Sequence, residues 1–343
     1  MAVLPPLLPP LLLLLLTPRA VSACVTDEDC SLNGQCSTAG ACLCHSVWRG
    51  ADCGLLHFLP APTLGAYGDL SGAGNVTSWG GNAAPDEAGL WHGFFTEISG
   101  KGCGLGQWRT HSTVVHAVAQ RPEGPYARRQ LALTHEAHNP QMLRWNASHW
   151  YIFHIGDATA NWSAPPPPAC KGGVGPPRPA HPMPPTLHPI HVSTTGPDGP
   201  FTQVAIVGPP DDGGSGMGNC NNPSPFLHPN GTLYLACTWS MRRADRPEGP
   251  WSAPWSTAPK NAVGRSWLNR YWEDCFLWVD RAGHWHQLAH TYVNGPYPAQ
   301  SISGHGFSRN GIEWTWSKTE PYSGVVARAD GSNKVCAALP HLR

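Results

Sequence analysis

The stretch that decides the fold is His116-Ala-Val-Ala-Gln-Arg-Pro-Glu-Gly-Pro-Tyr126. It returns with variations as His191-Val-Ser-Thr-Thr-Gly-Pro-Asp-Gly-Pro-Phe201 and as Met241-Arg-Arg-Ala-Asp-Arg-Pro-Glu-Gly-Pro-Trp251. Each copy is typical of a short strand followed by a Gly-Pro turn and an aromatic residue. A phrase that recurs every ~50 to 75 residues, with strand patterns between its copies, indicates a repeat architecture. For all-β units of this size we predict a propeller.

The composition describes a folded chain with few charges. Of the 343 residues, 13% are charged and the formal net charge is zero, which excludes the electrostatic footprint of a protein that binds nucleic acid or an anionic membrane. The 38 Gly and 37 Pro indicate many turns, and the 16 Trp indicate a packed core or an aromatic binding face. We therefore predict no nucleic-acid partner, no membrane partner and no cofactor.

The N-terminal residues are typical of a secretory signal. The apolar run Leu11–Leu16 precedes Val21-Ser-Ala23, a small-x-small cleavage pattern, and the Pro-rich segment is too short to span a membrane. We expect residues 1–23 to be removed before Cys24, so that the mature protein is secreted and extracellular. Sequons for N-glycosylation, which mark exposed loops in secreted proteins, occur at Asn75, Asn146, Asn161 and Asn230.

Twelve cysteines divide into six within residues 24–53 and six spread over the rest of the chain. The first six, which close with Trp48-x-Gly50-x-x-Cys53, have a spacing that resembles an EGF-like domain. A segment of about 30 residues buries too little apolar surface to fold alone, so cross-links must stabilise it. The resemblance implies the pairs Cys24–Cys36, Cys30–Cys42 and Cys44–Cys53. The sequence leaves open how the others pair: Cys103, Cys170, Cys220, Cys237, Cys275 and Cys336.

Strand patterns then form four units, which begin after residues 54–78, a linker or a strand that closes the propeller. The units open at Trp79-Gly-Gly81, His138-Asn-Pro140, Asn222-Pro223 and Trp272-Glu-Asp274. An aromatic second strand follows each opening, often after an Asp/Asn-x-x-Gly turn.

This layout resembles the five-bladed β-propellers of the arabinanase, xylosidase and fructosidase type of glycoside hydrolases, which are family 43-like. The cues are inner strands that open on Asn-Pro or Glu-Asp, the turns and the Gly-Pro-aromatic phrase. The resemblance implies an all-β fold with a five-bladed propeller over residues 79–343, which follows the EGF-like module at residues 24–53 in the chain. After Trp316 only 27 residues remain, so the last blade is either completed by residues 54–78 or incomplete.

In a propeller, the residues that begin the inner strands converge on one axial pocket. Glycosidic cleavage needs two carboxyl groups there, one protonated and one ionised. The openings supply Glu136, Glu273 and Asp274 as catalytic candidates. Glu273 and Asp274 are adjacent in a strand, so only one of them is expected to face the axis, with Glu136 as its partner. As contacts to the sugar we predict Trp79, Asn82, His138, Asn139, Asn222 and Trp272.

Two functional hypotheses remain open. In the first, the protein is a glycoside hydrolase that uses Glu136 with Glu273 or Asp274. The enzymes that it resembles place their base on the inner strand of the first blade, where Asn82 cannot accept a proton. This departure favours the alternative, a non-catalytic carbohydrate-binding or adhesion and matrix protein. The predicted partners are carbohydrate and, through the EGF-like module, an extracellular protein. No zinc, EF-hand or serine-nucleophile motif occurs, so we predict no metal site.

Overall fold

The computed structural model is an all-β fold with a small disulfide-rich module at its N-terminal end. It describes residues 23–62, 66–67, 77–98, 103–134, 136–156, 170, 188–207, 220, 222–237, 240–258, 270–293 and 303–335, except for the side chains of 270–272 and 292–293. Within these residues four antiparallel sheets have four strands each, and the strands of each sheet are neighbours in chain order. This is the propeller-like arrangement of blades that the repeated phrase predicts.

The N-terminal module contains two short strand pairs. They are β1 (Gly34–Cys36) with β2 (Cys42–Cys44), and β3 (Trp48–Arg49) with β4 (Leu55–Leu56). Three disulfide bonds join Cys24 to Cys36, Cys30 to Cys42 and Cys44 to Cys53. The pairing implied by the EGF-like resemblance is therefore confirmed.

The blades are numbered in chain order and each begins with its inner strand. Blade one is β5 (Thr77–Pro85), β6 (Trp91–Ile98), β7 (Ser112–Ala119) and β8 (Ala127–Leu133). Blade two is β9 (Ala137–Arg144), β10 (Trp150–Gly156), β11 (Pro189–Ser193) and β12 (Thr202–Ile206). Blade three is β13 (Ser224–Leu227), β14 (Leu233–Cys237), β15 (Ser240–Ala244) and β16 (Trp255–Ser256). Blade four is β17 (Arg270–Val279), β18 (Trp285–Val293), β19 (Gly304–Ser308) and β20 (Thr315–Trp316).

Within the residues that the structure describes, helical structure is restricted to the connection between β6 and β7. A 3₁₀ turn at Leu105–Gln107 runs into the one-turn helix α1 (Trp108–His111). None of the described helical segments has the length and apolar character needed to cross a bilayer.

The second and third copies of the repeated phrase pack their blades against the blade before. Phe201, which follows the second copy of the Gly-Pro turn, meets Phe94 of blade one edge-on at 5.5 Å between ring centroids. Trp251, which follows the third copy, meets Phe153 of blade two in the same way at 6.1 Å. Such aromatic pairs contribute about 0.5–1.5 kcal/mol beyond the area that they bury. The phrase therefore fixes the spacing of blades as well as ending the third strand.

Buried apolar side chains fill the space between consecutive blades. Phe94 and Val114 of blade one pack with Trp150 and Ile152 of blade two. Corresponding clusters lie between blades two and three and between blades three and four. Two further disulfide bonds, Cys103–Cys170 and Cys220–Cys237, secure the propeller, and Cys275 is a buried free thiol. Cys336 lies outside the described residues.

The end of the chain contains one more hairpin, β21 (Val325–Ala327) with β22 (Asn333–Val335). Ala61 lies beside it, since its N–H donates to the carbonyl of Ala327 and its own carbonyl accepts from Ala329, both at 2.8 Å. Part of the segment 54–78 therefore pairs with the C-terminal region. The described residues form four blades, and where a fifth is expected they provide only this hairpin.

Candidate functional site

The openings of the four inner strands meet at one cavity of about 220 Å³. The lining takes two residues from each blade, and they are Trp79, Gly80, Asn139, Gln141, Asn222, Pro223, Asp274 and Cys275. Residues almost 200 positions apart in the sequence thus form a single site. The convergence of strand openings is what a propeller predicts.

One backbone conformation recurs at all four openings. Gly80, Asn139, Asn222 and Asp274 have φ angles of 55°, 48°, 55° and 52°. This is the left-handed region, which Gly, Asn and Asp adopt more readily than other residues. In blades one, two and four, the pairing of the inner strand with its neighbour shifts register around this residue, as in a β-bulge. A bulge re-aims a side chain, and here it directs the opening residue to the cavity.

Asn139 links the openings of three blades. Its Nδ2 donates hydrogen bonds to Oδ1 of Asn222 and to Oδ1 of Asp274, both at 2.7 Å. Both amide hydrogens are then used. Oδ1 of Asn139 is buried and has no hydrogen-bond partner among the described residues. A buried acceptor without a partner costs about 1–3 kcal/mol.

Gly80 provides the space that Asn139 occupies. A Cβ atom at position 80 would lie 2.7 Å from Oδ1 of Asn139, closer than such atoms approach. Blade one therefore contributes the Trp79 ring and the backbone of Gly80 to the cavity. It contributes no carboxylate at the position where blade four has Asp274.

The structure places Asn82 outside the cavity lining, between blades one and two. Its Oδ1 accepts from the backbone N–H of Met142 at 2.6 Å, and its Nδ2 donates to the carbonyl of Met142 at 2.9 Å. Ser224 holds the same position in blade three and accepts from the N–H of Leu277 in blade four at 3.0 Å. Asn82 thus joins two blades, and the blade-one counterpart of Asn139 is Gly80.

Replacing Asn82 with Ala removes both hydrogen bonds to Met142 and leaves buried backbone groups without partners. We expect the free energy of unfolding to fall by about 1–3 kcal/mol. Chemical denaturation measures this change. Gln35→Ala removes an exposed amide in the N-terminal module and should alter the value by no more than about 0.5 kcal/mol. An Asn82→Ala variant as stable as the Gln35→Ala control would contradict the blade-joining role.

His138 also lies away from the cavity, although its neighbour Asn139 is part of the cavity lining. Nδ1 of His138 is 2.8 Å from Oγ of Ser112, and its ring stacks on Trp108 at 5.0 Å between centroids. Burial lowers the pKa of His138 to about 3. The imidazole is therefore neutral and belongs to the packing between blades one and two.

Asp274 is the carboxylate of the lining. Burial, and less strongly the charge of Glu273, raise the pKa of Asp274 to about 7, while His290 and the hydrogen bond from Asn139 act in the opposite direction. Oε1 of Glu273 lies 3.4 Å from Nδ1 of His290. Functional atoms of these two residues and Asp274 lie within 4.8 Å of one another.

The cluster differs from what regular strand geometry predicts. Alternation would send Glu273 and Asp274 to opposite faces of the sheet. The bulge between Glu273 and Phe276 breaks that alternation and brings the two carboxyl groups together. Asp274 faces the cavity, and Glu273 lies beside it against His290.

Of the other predicted residues, the cavity lining includes Trp79 and Asn222. Glu136 lies three residues before Asn139, with a φ of 61°, and is not part of the lining. The side chain of Trp272 lies outside the described residues. Among the described residues the lining thus holds a single carboxyl group. Sequence analysis missed Gly80, Gln141, Pro223 and Cys275, although a Gly, Asn or Asp at every opening is a readable signal for the left-handed conformation.

Two of the four predicted glycosylation sites can be placed. Asn146 and Asn230 are exposed, and each lies in the turn between the first and second strands of its blade, two and three respectively. Such turns leave room for a bulky glycan. Asn75 and Asn161 lie outside the described residues.

Comparison with known proteins separates the two parts of the chain. Residues 26–55 match the Teneurin-like EGF domain. The chain as a whole is similar in structure to a family 117 glycoside hydrolase produced by the marine bacterium Zobellia galactanivorans, with a TM-score of 0.50, 14% identity, and 80% of this chain and 78% of that chain covered. The likeness is one of fold.

A second solved structure gives a lower score. It is the endo-arabinase from Bacteroides thetaiotaomicron VPI-5482, with a TM-score of 0.48, 12% identity, and 81% of this chain and 91% of that chain covered. No curated protein sequence matches the chain. The N-terminal module is thus similar to EGF domains in sequence, and the chain is similar to a glycoside hydrolase in fold.

Proposed function

We propose that the protein is a secreted carbohydrate-binding propeller whose axial cavity holds a neutral sugar residue without hydrolysing it. The observation that carries this proposal is the single carboxyl group, Asp274, in the described lining. Hydrolysis of a glycosidic bond requires two carboxyl groups that flank it. At the first-blade position, Gly80 has no side chain to supply the second one.

The lining has the groups that a sugar needs. Asn139, Asn222 and Asp274 line the cavity with polar side chains of the kind that hydrogen-bond to hydroxyl groups. Trp79 offers a flat apolar ring for the C–H face of a sugar. The volume of about 220 Å³ lies below the roughly 300–1,000 Å³ of pockets for drug-sized ligands, so it suits one sugar ring. The described lining contains no Lys or Arg, so an acidic sugar would bring an unpaired charge beside Asp274.

A glycoside hydrolase is the second candidate, and one observation favours it. A carboxyl group whose pKa is about 7, as for Asp274, is suited to act as a general acid near neutral pH. Its partner would be Glu136 or Glu273. Glu273 lies next to Asp274 in the chain and pairs with His290, so both would approach a glycosidic bond from the same side. We therefore rank binding above hydrolysis.

Secretion is supported by the chemistry of the cysteines. Ten of them form five disulfide bonds within the described residues, and such bonds persist in oxidising compartments. The match to an EGF domain of extracellular type agrees with this. The N-terminal residues 1–22, on which the signal was predicted, lie outside the described residues.

We expect the protein to bind neutral plant, algal or animal glycans on an array, and the affinity to fall about tenfold or more in Trp79→Ala and in Asp274→Asn. A tenfold loss corresponds to about 1.4 kcal/mol, the size of one stacking contact or one charge-assisted hydrogen bond. Titration calorimetry with the best ligand measures it. Glu87→Gln removes a carboxylate with 76% side-chain exposure and should bind like the parent.

The same samples distinguish the two candidates. Free sugar is measured after long incubation of each glycan with the parent and with Asp274→Asn. Binding by the parent without release of sugar supports the binding function. Release by the parent that Asp274→Asn abolishes would establish the hydrolase instead. If no glycan binds the folded parent protein, the carbohydrate proposal is wrong.

A further inference from the structure

The EGF-like module, residues 24–53, covers one face of blade four. The ring of Trp48 lies 4.8 Å from the ring of His305 between centroids and packs with Trp278 and Leu288. These residues belong to the face that points away from blade three, because Trp285 on the opposite face packs against blade three. The module therefore occupies the side of blade four on which a following blade would pack.

Side-chain polar contacts also cross this interface. Nε of Arg309 donates to Oε1 of Glu28 at 2.8 Å, with both side chains about half exposed. Oγ1 of Thr319 donates to Oδ2 of Asp52 at 2.6 Å. An exposed ion pair contributes about 0–1 kcal/mol. Oγ of Ser31 also lies 3.5 Å from Oγ of Ser317, so the attachment of the module combines the apolar contacts of Trp48 with these polar ones.

In blade one, the corresponding face is covered by blade two. His92 and His116 form a buried pair, with Nδ1 of the first 2.9 Å from Nε2 of the second. The ring of Trp150 from blade two meets His92 edge-on at 5.4 Å. In blade one, therefore, a Trp of the following blade covers the histidine pair.

Blade four repeats this pair, and the described residues contain no following blade to cover it. Nδ1 of His286 lies 3.1 Å from Nε2 of His305, and Nε2 of His286 lies 3.4 Å from Oδ2 of Asp280. The spacing from Asp280 to His286 equals that from Asp86 to His92 in blade one, where the same contact measures 3.2 Å. In blade one the histidine pair is covered by Trp150 of blade two. In blade four it is covered by Trp48 of the EGF-like module.

The pair in blade four is held neutral by its surroundings. His305 is fully buried, and its Nδ1 has no hydrogen-bond partner among the described residues. Burial, and then the neighbouring His286, lower the pKa of His305 well below its usual value. Burial also lowers the pKa of His286, although Asp280 opposes it, and the remaining ionisable groups that act on His286 are His284 of its own hairpin and His45 of the EGF-like module.

We propose that the EGF-like module is an acid-released cap: it stays on blade four while the His286–His305 pair is neutral and leaves when that pair takes up a proton. A proton on His305 needs water or a new acceptor at Nδ1, and the ring of Trp48 stands in the way. Removal of the cap lets water reach the imidazole. It also exposes Trp48 and Trp278, which frees the module for an extracellular partner.

The direction of the pH effect follows from proton linkage. With the cap in place the pKa of His305 is depressed, whereas a freed imidazole has an ordinary pKa of about 6.5. The capped state therefore binds fewer protons than the open state. Attachment is complete above about pH 6.5 and weakens by about tenfold for each pH unit below it, for one histidine.

Oxidative footprinting of the full-length protein tests the proposal, with Trp oxidation measured by mass spectrometry at pH 7.5 and pH 5.0. Trp48 is 8% exposed, and Trp150, which covers the pair of blade one, is fully buried. We expect oxidation of Trp48 to rise at least fivefold at pH 5.0 while oxidation of Trp150 stays unchanged. Small-angle scattering on the same samples should show an expansion as the cap leaves.

Two variants locate the effect. His305→Phe keeps a ring against Trp48 but cannot titrate, so Trp48 should stay protected at pH 5.0. His116→Phe makes the same change in blade one and should release the cap like the parent. The proposal is overturned if Trp48 stays protected in the parent at pH 5.0, if Trp150 is exposed in parallel, or if His305→Phe releases the cap as the parent does. If His305→Phe does not fold, the proposal is decided by the parent protein alone, from whether oxidation of Trp48 rises at pH 5.0 while oxidation of Trp150 does not.

Discussion

Replacement of Asp274 with Asn will raise the free energy of unfolding by about 4 kcal/mol at pH 8 and leave it almost unchanged at pH 4. The pKa of Asp274 is raised to about 7 in the folded protein, mainly by burial, from the ordinary value of 3.8. Each pH unit between these two values is worth about 1.4 kcal/mol. Asn is close in shape and its Oδ1 can still accept the hydrogen bond from Asn139, so the variant removes the charge and keeps the contact.

The pH window follows from the same two values. A carboxyl group with a raised pKa binds its proton more tightly in the folded state than in the unfolded chain. Its contribution to stability is therefore complete below about pH 4 and is lost as the pH rises to about 7. The parent should lose stability through this window relative to Asp274→Asn, and the difference should be constant above it.

Chemical denaturation of the parent and Asp274→Asn at pH 4, 6 and 8 measures the effect. Glu87→Gln, a change at an exposed carboxylate, should stay within about 0.5 kcal/mol of the parent at each pH. A difference between parent and Asp274→Asn that does not grow with pH would show that Asp274 ionises normally. That result would also remove the argument that favours Asp274 as a general acid.

A stability penalty of this size, once measured, will support a functional role for the site. A buried carboxyl group that weakens the fold at physiological pH is what a binding or catalytic position shows, since stability alone would favour Asn there. Asn139 and Asn222 adopt the same backbone conformation at the same position in their blades without this cost. Blade four is thus the opening at which the chain keeps an ionisable group.

The architecture was predictable from the sequence because its determinants are local. The Gly-Pro phrase and the alternating aromatic strands depend on neighbours in the chain, and the structure assembles them into blades. The pairing of the first six cysteines was implied by the resemblance to an EGF-like domain, and the structure confirms it. The pairs Cys103–Cys170 and Cys220–Cys237 were not implied in this way, because they depend on how distant loops meet around the propeller.

The site was predictable only as far as the strand openings. Trp79, Asn139, Asn222 and Asp274 line the cavity, as expected from converging inner strands. The side-chain directions were not predictable from regular alternation, because a bulge at the opening residue changes which side chain faces the axis. For this reason regular alternation predicts Asn82 as the first-blade counterpart, whereas in the structure Gly80 occupies that position.

Among the substitutions considered, Gly81→Ala should cause the largest loss of stability. Gly81 belongs to the Trp79-Gly80-Gly81 opening of blade one. Gly81 has a φ of 123°, and a Cβ atom there would lie 2.1 Å from the carbonyl oxygen of Phe94 on the neighbouring strand. The obstacle is backbone, so no side-chain rotation relieves it. Separating β5 from β6 would break pairing in blade one, and we expect a loss of about 4 kcal/mol or more, at the extreme of single substitutions.

Gly89→Ala is the matched control for this experiment. Gly89 also has a positive φ, 84°, but an added Cβ would have no atom within 4 Å. Only the backbone strain applies, so the expected loss is about 1–2 kcal/mol. Thermal denaturation of both variants and the parent separates clash from strain. If Gly81→Ala is no less stable than Gly89→Ala, the close approach of the two strands is wrong, and so is the bulge that places Trp79 and Gly80 at the cavity.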